Sequence, residues 1–237
     1  FWLEIDGLTP GQEYAFQYLV NGDLRIADPY SELTLHPDDD PYVPSSVYPN
    51  IPTYPHGKTN FSVGVLQPGN DEYAWTSMNY ERPETKDLVI YELLLRDFLE
   101  DHSYQTLIDT LDYLDRLGVT AIELMPVNEF EGNLSWGYNP AFHLALDKYY
   151  GTRNTFKAFV DAAHSRGIAV ILDVVLNHAF GRSPIIRLWN EGYYGAPTSE
   201  NPYANSIAKH PYNVGYDLNH ESAATRYFSK RVMQYWL

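Results

Sequence analysis

The strongest constraint in this sequence is the uneven spacing of its apolar segments after residue 86. Three short apolar runs, Leu88-Val89-Ile90-Tyr91, Ala121-Ile122-Glu123-Leu124-Met125 and Ile168-Ala169-Val170-Ile171-Leu172, read as buried strands. Between the first two, Tyr104, Leu107, Ile108, Leu111 and Leu114 fall on one face of a helix that ends at Gly118, a natural C-terminal cap. Phe156, Phe159, Val160 and Ala163 repeat that spacing before Gly167. A last helix is expected from near Ser222, with Tyr227, Phe228, Val232 and Tyr235 on its buried side. Each helix returns to the next strand through about two residues, whereas the connections leaving the second and third strands run from Pro126 to about Asn154 and from Val175 to about His220. Connections so much longer than the common few residues are generally functional. Strands and helices that alternate, with all elaboration after the strands, point to about three βα units of a (β/α)8 barrel, whose active site lies at the C-terminal ends of the strands. A doubly wound sheet is the structural alternative, but no G-x-G-x-x-G or phosphate loop follows any strand.

The first part of the chain obeys a different grammar. Residues 1–28 alternate with period two, from Trp2 and Glu4 through Tyr14-Ala15-Phe16-Gln17-Tyr18-Leu19-Val20, and Asn21-Gly22 between Val20 and Leu24 is a hairpin signal. This reads as the end of an antiparallel β domain. From Asp28-Pro29 to about Pro83 the chain is dense in proline and lacks a helical period, so it reads as a linker or wrapping segment with one short strand over 62–66. The acidic run Asp38-Asp39-Asp40 lacks the remainder of an EF-hand loop and is expected to be a solvated turn. The chain opens on Phe1-Trp2 without Met and stops at Tyr235-Trp236-Leu237 inside a helical pattern, so a fragment is expected.

Composition narrows the partners. A formal charge of -15 over 237 residues argues against a nucleic-acid or anionic-membrane surface, both of which need a basic footprint. No run approaches the roughly 20 apolar residues needed to span a bilayer. With no cysteine, there is no disulfide framework, thiolate metal site or cysteine nucleophile, and the compartment is not fixed. The 21 Tyr and 5 Trp supply flat amphipathic rings, suited to stacking on apolar faces with hydrogen bonding at the rim, as sugars require.

Two polar clusters could carry chemistry. Asp173-Val174-Val175-Leu176-Asn177-His178 ends the third strand, and on a barrel it would sit at the catalytic rim. The alternative is structural, with Asp173 capping the strand end and His178 satisfied within a loop. Trp136-Gly137-Tyr138-Asn139-Pro140 forms either a rigid platform for a pyranose face or the long loop's own small core.

These clusters carry a resemblance. Residues 88–98 (LVIYELLLRDF), 121–128 (AIELMPVN), 136–140 (WGYNP) and 173–178 (DVVLNH) resemble, in order and spacing, the motifs of the alpha-amylase family, glycoside hydrolase family 13. The match covers about 86–237, which would be the N-terminal part of the (β/α)8 TIM barrel that forms the catalytic domain. Residues 1–45, including Ala27-Asp28-Pro29-Tyr30, look like the end of an immunoglobulin-like β-sandwich module of the glycogen-branching and pullulanase kind, with 46–85 as a proline-rich linker. The resemblance implies that Tyr138 stacks on the sugar beside the scissile bond, with Trp136 beside it as a further substrate contact. It implies that His178 bonds that sugar's primary hydroxyl, and that Asp173 organises the site. Asn177 would occupy a position that binds structural calcium in many relatives, and no organic cofactor is implied. Asp217 is a further rim residue without an assigned role, expected to help start the last helix.

Retaining glycoside hydrolysis needs a nucleophile and an acid/base about 5 Å apart. By the resemblance both follow later strands, beyond Leu237, so no catalytic residue is expected within 1–237. Glu92, Glu123, Glu129 and Asp173 match none of the family's catalytic positions; Glu92 and Glu123 belong to strands, and Glu129 to a mobile loop. The implied activity is cleavage of α-1,4 or α-1,6 bonds in starch, glycogen or maltooligosaccharides, with the fragment alone inactive. A branching or transglycosylating enzyme and a non-catalytic glycan-binding protein on the same scaffold are the alternatives.

Overall fold

The computed structural model describes residues 3–70 and 72–237, so the start of the alternating run at Phe1 and Trp2 lies outside the described residues. Strand β1 (Tyr14–Phe16) is followed by β2 (Tyr18–Val20) and β3 (Leu24–Ile26), which pair antiparallel with Val20 opposite Leu24. Asn21 and Gly22 take φ values of 52° and 85°, the left-handed conformations these two residues tolerate best, so the expected hairpin forms. Strands β4 (Thr34–Leu35) and β5 (Val63–Leu66) complete a three-stranded antiparallel sheet in the order β1-β5-β4. Its central strand comes from the proline-rich stretch, where the sequence suggested one. Leu33, Leu35, Tyr54, Val63 and Val65 bury against each other beneath it.

The acidic run is not a solvated turn. Asp38 is exposed, but Asp39 and Asp40 are buried because distant cations reach them: Arg182 pairs with Asp39, and the Lys148 ammonium lies 3.4 Å from Asp40. Lys148 is itself buried and also pairs with Glu129. Glu129 is therefore an interior group held in a strand, not part of a mobile loop.

After residue 86 come β6 (Ile90–Leu93), α1 (Leu95–Phe98), α2 (Tyr104–Arg116), β7 (Ala121–Leu124), β8 (Asn128–Phe130), β9 (Pro140–Leu146), α3 (Arg153–His164), β10 (Ala169–Leu172), β11 (His178–Ala179), α4 (Pro184–Arg187), β12 (Tyr216–Asp217) and α5 (Ala223–Trp236). Strands β6, β7 and β10 are parallel, with β7 central and Leu93, Leu124 and Leu172 in register. Because side chains alternate along a strand, Leu93, Ile122, Leu124, Val170 and Leu172 all turn to one face. There they pack on Leu107, Leu111 and Leu114 of α2 and on Phe156, Phe159 and Ala163 of α3. Both crossover helices thus share one core on one side of the sheet, and strand order follows chain order, which is the barrel sense and not the doubly wound one. The other face carries Glu92, Glu123 and Ile171 in register.

Both crossover helices start at a side-chain cap. Ser103 accepts from Thr106 N at 3.1 Å and Thr152 from Thr155 N at 3.1 Å, while Gly118 and Gly167 end α2 and α3 with φ of 82° and 74°. Three details differ from the sequence reading. The first strand starts two residues later than expected, and Val89 and Ile90 are exposed, because among the described residues β6 has a neighbour on one side only. Strand β10 is half-buried for the same reason. In α5 the buried positions are Thr225, Phe228 and Val232, and Tyr227 stands outside that stripe at 61% exposure.

The segment before β6 wraps onto the outer side of α3 through one carboxylate. Asp161 accepts from Thr76 N (2.9 Å), Thr76 Oγ1 (2.7 Å), Ser77 N (2.8 Å), Ser77 Oγ (2.5 Å) and Tyr73 Oη (3.3 Å). These bonds, the Ser77 hydroxyl first, hold its carboxyl well below the usual carboxylate range. Asp161→Ala is expected to cost about 2–3 kcal/mol, since five donors on Tyr73, Thr76 and Ser77 lose a charged acceptor at once. A depressed pKa stabilises fully above the unfolded-state value of ~3.9, and that contribution fades as pH falls below it. The deficit of the variant, measured by urea unfolding, should therefore be full at neutral pH and shrink below about pH 4; a deficit independent of pH would remove the carboxylate from this account.

Candidate active-site face

Both long connections lie beyond the C-terminal ends of the parallel strands. The first contains the β8/β9 hairpin and the second the antiparallel β11/β12 pair. The turn between β8 and β9 carries Trp136, Gly137 and Tyr138. Gly137 has φ of 88°, and a Cβ there would stand 2.2 Å from the Pro126 carbonyl oxygen, so only glycine lets the turn sit this close to the end of β7.

That approach delivers Tyr138 to the end of β10. Its hydroxyl donates to Asp173 Oδ2 at 2.5 Å, and its carbonyl oxygen accepts from His178 Nε2 at 2.7 Å. His178 is buried in β11, with Nδ1 3.1 Å from the Asn177 amide oxygen. Four residues that the sequence placed on two separate loops therefore form one hydrogen-bonded unit. Tyr138 holds its phenolic proton more tightly than a free tyrosine, through burial first, then the hydrogen bond and charge of Asp173, with Glu92 and Glu123 adding to it. The face around the half-buried Tyr138 ring is thus strongly electronegative, able to accept hydrogen bonds from hydroxyl groups and hostile to anions.

The remaining predicted residues divide. Trp136 stands at the rim, 59% exposed, beside Tyr138 in sequence. Asp217 does not start α5, because Ser222 caps that helix by accepting from Ala224 N. Instead Asp217 is buried in β12, accepts from Asn205 Nδ2 (2.8 Å) and Lys209 N (3.2 Å), and lies 3.1 Å from His210 Nε2. The Asn177 side-chain oxygen lies 3.1 Å from His178 Nδ1 and Asp217 accepts from protein donors, and among the described residues no three acidic or histidine side chains gather into one group.

Sequence reasoning missed the groups that hold this face in place. His143 in β9 is buried and bonds the Val175 carbonyl through Nε2 at 2.9 Å, with burial pushing its pKa down to about 4 and keeping it neutral. Glu131 accepts from Arg182 N at 2.6 Å, Arg182 pairs with Asp39, and Asp39 accepts from Gly132 N (3.3 Å) and, through its carbonyl, from Asn133 Nδ2 (2.7 Å). The hairpin turn that carries Tyr138 is thereby fastened to both the second long connection and the N-terminal segment. No local pattern signals contacts between residues so far apart in the chain.

Comparison with known proteins fits this geometry. Residues 100–204 match the family model for the alpha-amylase catalytic domain. The chain belongs to the alpha-amylase family. It is 32% identical over its full length to malto-oligosyltrehalose trehalohydrolase of Saccharolobus solfataricus, of which it covers 36%. It is 42% identical over 106 residues, 45% of this chain and 18% of the relative, to the enzyme of the same name from Arthrobacter ramosus. Among solved structures, a Salmonella typhimurium protein assigned as an alpha amylase superposes with a TM-score of 0.71 at 29% identity, over 99% of this chain and 34% of that one. The chain thus spans about a third of the first relative's length, and this alpha-amylase family member carries the early strands of the barrel together with the segment that precedes them.

Proposed function

We propose that the chain forms the first part of the catalytic domain of a retaining enzyme that cleaves α-1,4 or α-1,6 glucosidic bonds in malto-oligosaccharides, starch or glycogen. In this reading the nucleophile and acid/base come from later strands, beyond Leu237, and residues 1–45 are the end of a β-sandwich module joined through 46–85. The observation that carries the proposal is the Tyr138–Asp173–His178 unit at the C-terminal end of β10. Tyr138 supplies a ring for the reacting sugar, with Trp136 beside it at the rim. Asp173 anchors that ring by its hydroxyl. His178, whose Nε2 is engaged by the Tyr138 carbonyl, serves first to fix the position of Tyr138 and reaches a sugar hydroxyl only by exchanging the Asn177 contact of Nδ1 for it. The name of the trehalohydrolase relatives favours a maltooligosyl substrate, and the acidic chain does not repel a neutral polymer.

The test uses the full-length protein. Wild type should release reducing ends from soluble starch or malto-oligosaccharides with retained α-configuration, followed by NMR. His178→Ala should lower kcat/KM by about tenfold or more, the loss of one oriented contact at the reacting sugar. Unchanged rates in that variant would sink the assignment of this site.

A further inference from the structure

The second long connection holds an arrangement that the Tyr138 unit does not use. Tyr193 and Tyr194 are adjacent and meet edge to face, with ring centroids 4.3 Å apart and planes at 87°. Both are open to solvent, at 44% and 47% exposure. Single exposed aromatics are ordinary, but this pair is held rigidly and at a cost. Tyr194 has φ of 61°, a left-handed conformation that is a genuine outlier for a bulky residue. Its ring lies flat against Gly181, where a Cβ would come within 2.0 Å of Tyr194 Cδ1. Tyr193 is fixed from behind. The Arg187 guanidinium lies 4.6 Å from its ring centroid and 4.4 Å from that of Phe61, so the cation is shared between two aromatic rings.

Backbone strain of this kind persists where surrounding structure enforces it, and it concentrates at binding sites. The pair is also next to the candidate site. Gly181 follows His178 by three residues, and Phe180 between them places its ring 5.8 Å from that of His178. The hydroxyl end of Tyr194 faces Glu131 and Arg182, the residues that fasten the Tyr138 turn. A pre-positioned pair of half-exposed rings with polar rims, on a strongly acidic chain, suits a neutral ligand that offers apolar faces edged by hydroxyls. Little side-chain freedom remains to be lost on binding.

We propose that Tyr193 and Tyr194 form a separate sugar-stacking subsite that holds a further glucose unit of an α-glucan, beyond the one at Tyr138, so that longer chains bind better than short ones. The inference rests on the α-glucan reading above. It is tested on the full-length protein with maltotriose and maltoheptaose, by steady-state kinetics and by calorimetric binding. Tyr193→Ala should raise KM and Kd for maltoheptaose by about tenfold, with a distinctly smaller change for maltotriose, and Tyr193→Phe, which keeps the ring, should recover the long-chain affinity. Should Tyr193→Ala unfold, Tyr193→Leu keeps apolar contact with Phe61 without a flat face, and the same comparison decides. Equal changes for both substrates, or none, overturn the subsite while leaving the α-glucan reading intact. A wild-type protein that neither binds nor turns over either sugar overturns both.

Discussion

Lys148→Met should destabilise the protein by about 3–5 kcal/mol, the range for leaving a buried charge without its partner. Lys148 is surrounded by Glu129, Asp40 and Asp147, all buried. Burial works to discharge the lysine, and the carboxylates of Glu129, Asp40 and Asp147 outweigh it, holding the ammonium above its ordinary pKa. The acids show the opposite strain. Burial raises Glu129 and Asp40, and burial together with the Glu129 charge raises Asp147 well above the usual carboxylate range. One cation among three buried acids compensates one of them fully, so removing it leaves only the backbone donors of His36, Phe130 and Tyr149 against their desolvation. Adding Glu129→Gln to Lys148→Met removes one stranded charge and should restore part of the loss. Denaturant midpoints of the two variants provide the measurement; a single-variant loss under about 1 kcal/mol would mean that the cluster is already neutral without its lysine.

The second large effect is expected on activity. In the full-length protein, Gly137→Ala forces a Cβ to within 2.2 Å of the Pro126 carbonyl oxygen at φ of 88°. Backbone cannot yield as a flexible side chain would, so the turn must lift away from β7 and carry Tyr138 with it. A displacement of about 1 Å at a positioned group can cost on the order of a hundredfold in rate, and kcat/KM on soluble starch should fall by that amount. The added left-handed strain costs roughly 1–2 kcal/mol of stability. Gly118→Ala separates the two contributions. Gly118 has φ of 82° with nothing within 4 Å of its would-be Cβ, so that variant takes on the same strain without the clash and should keep its activity. If Gly137→Ala works at the wild-type rate, Tyr138 has no part in the chemistry.

What could be read from the chain depended on the distance over which each signal acts. The Asn21-Gly22 hairpin, the helix ends at Gly118 and Gly167, and the apolar stripe of α2 are set by residues within a few positions of each other, and all three form as the sequence predicts. The Asp38-Asp39-Asp40 run and Glu129 depart from the sequence expectation because their surroundings are decided by Lys148 and Arg182, far along the chain. Tyr227 fits a helical period but not the buried stripe, since periodicity alone does not fix which side of a short helix meets the core. The residues of the candidate site were visible as two motifs. Their convergence through Gly137 was not, because that depends on how closely one turn approaches the end of a neighbouring strand.

The fastening of Asp39 to Arg182 also bears on the order in which the molecule assembles. The two residues are 143 positions apart, and contacts of such separation are formed late because loop closure must be met before they contribute. On the ribosome the N-terminal segment emerges first, yet its acidic residues have no cation to pair with until Lys148 and then Arg182 have been made. During that interval the Tyr138 turn is also without its tether, so the candidate-site face acquires its final shape only when the second long connection folds back onto the segment around Asp39.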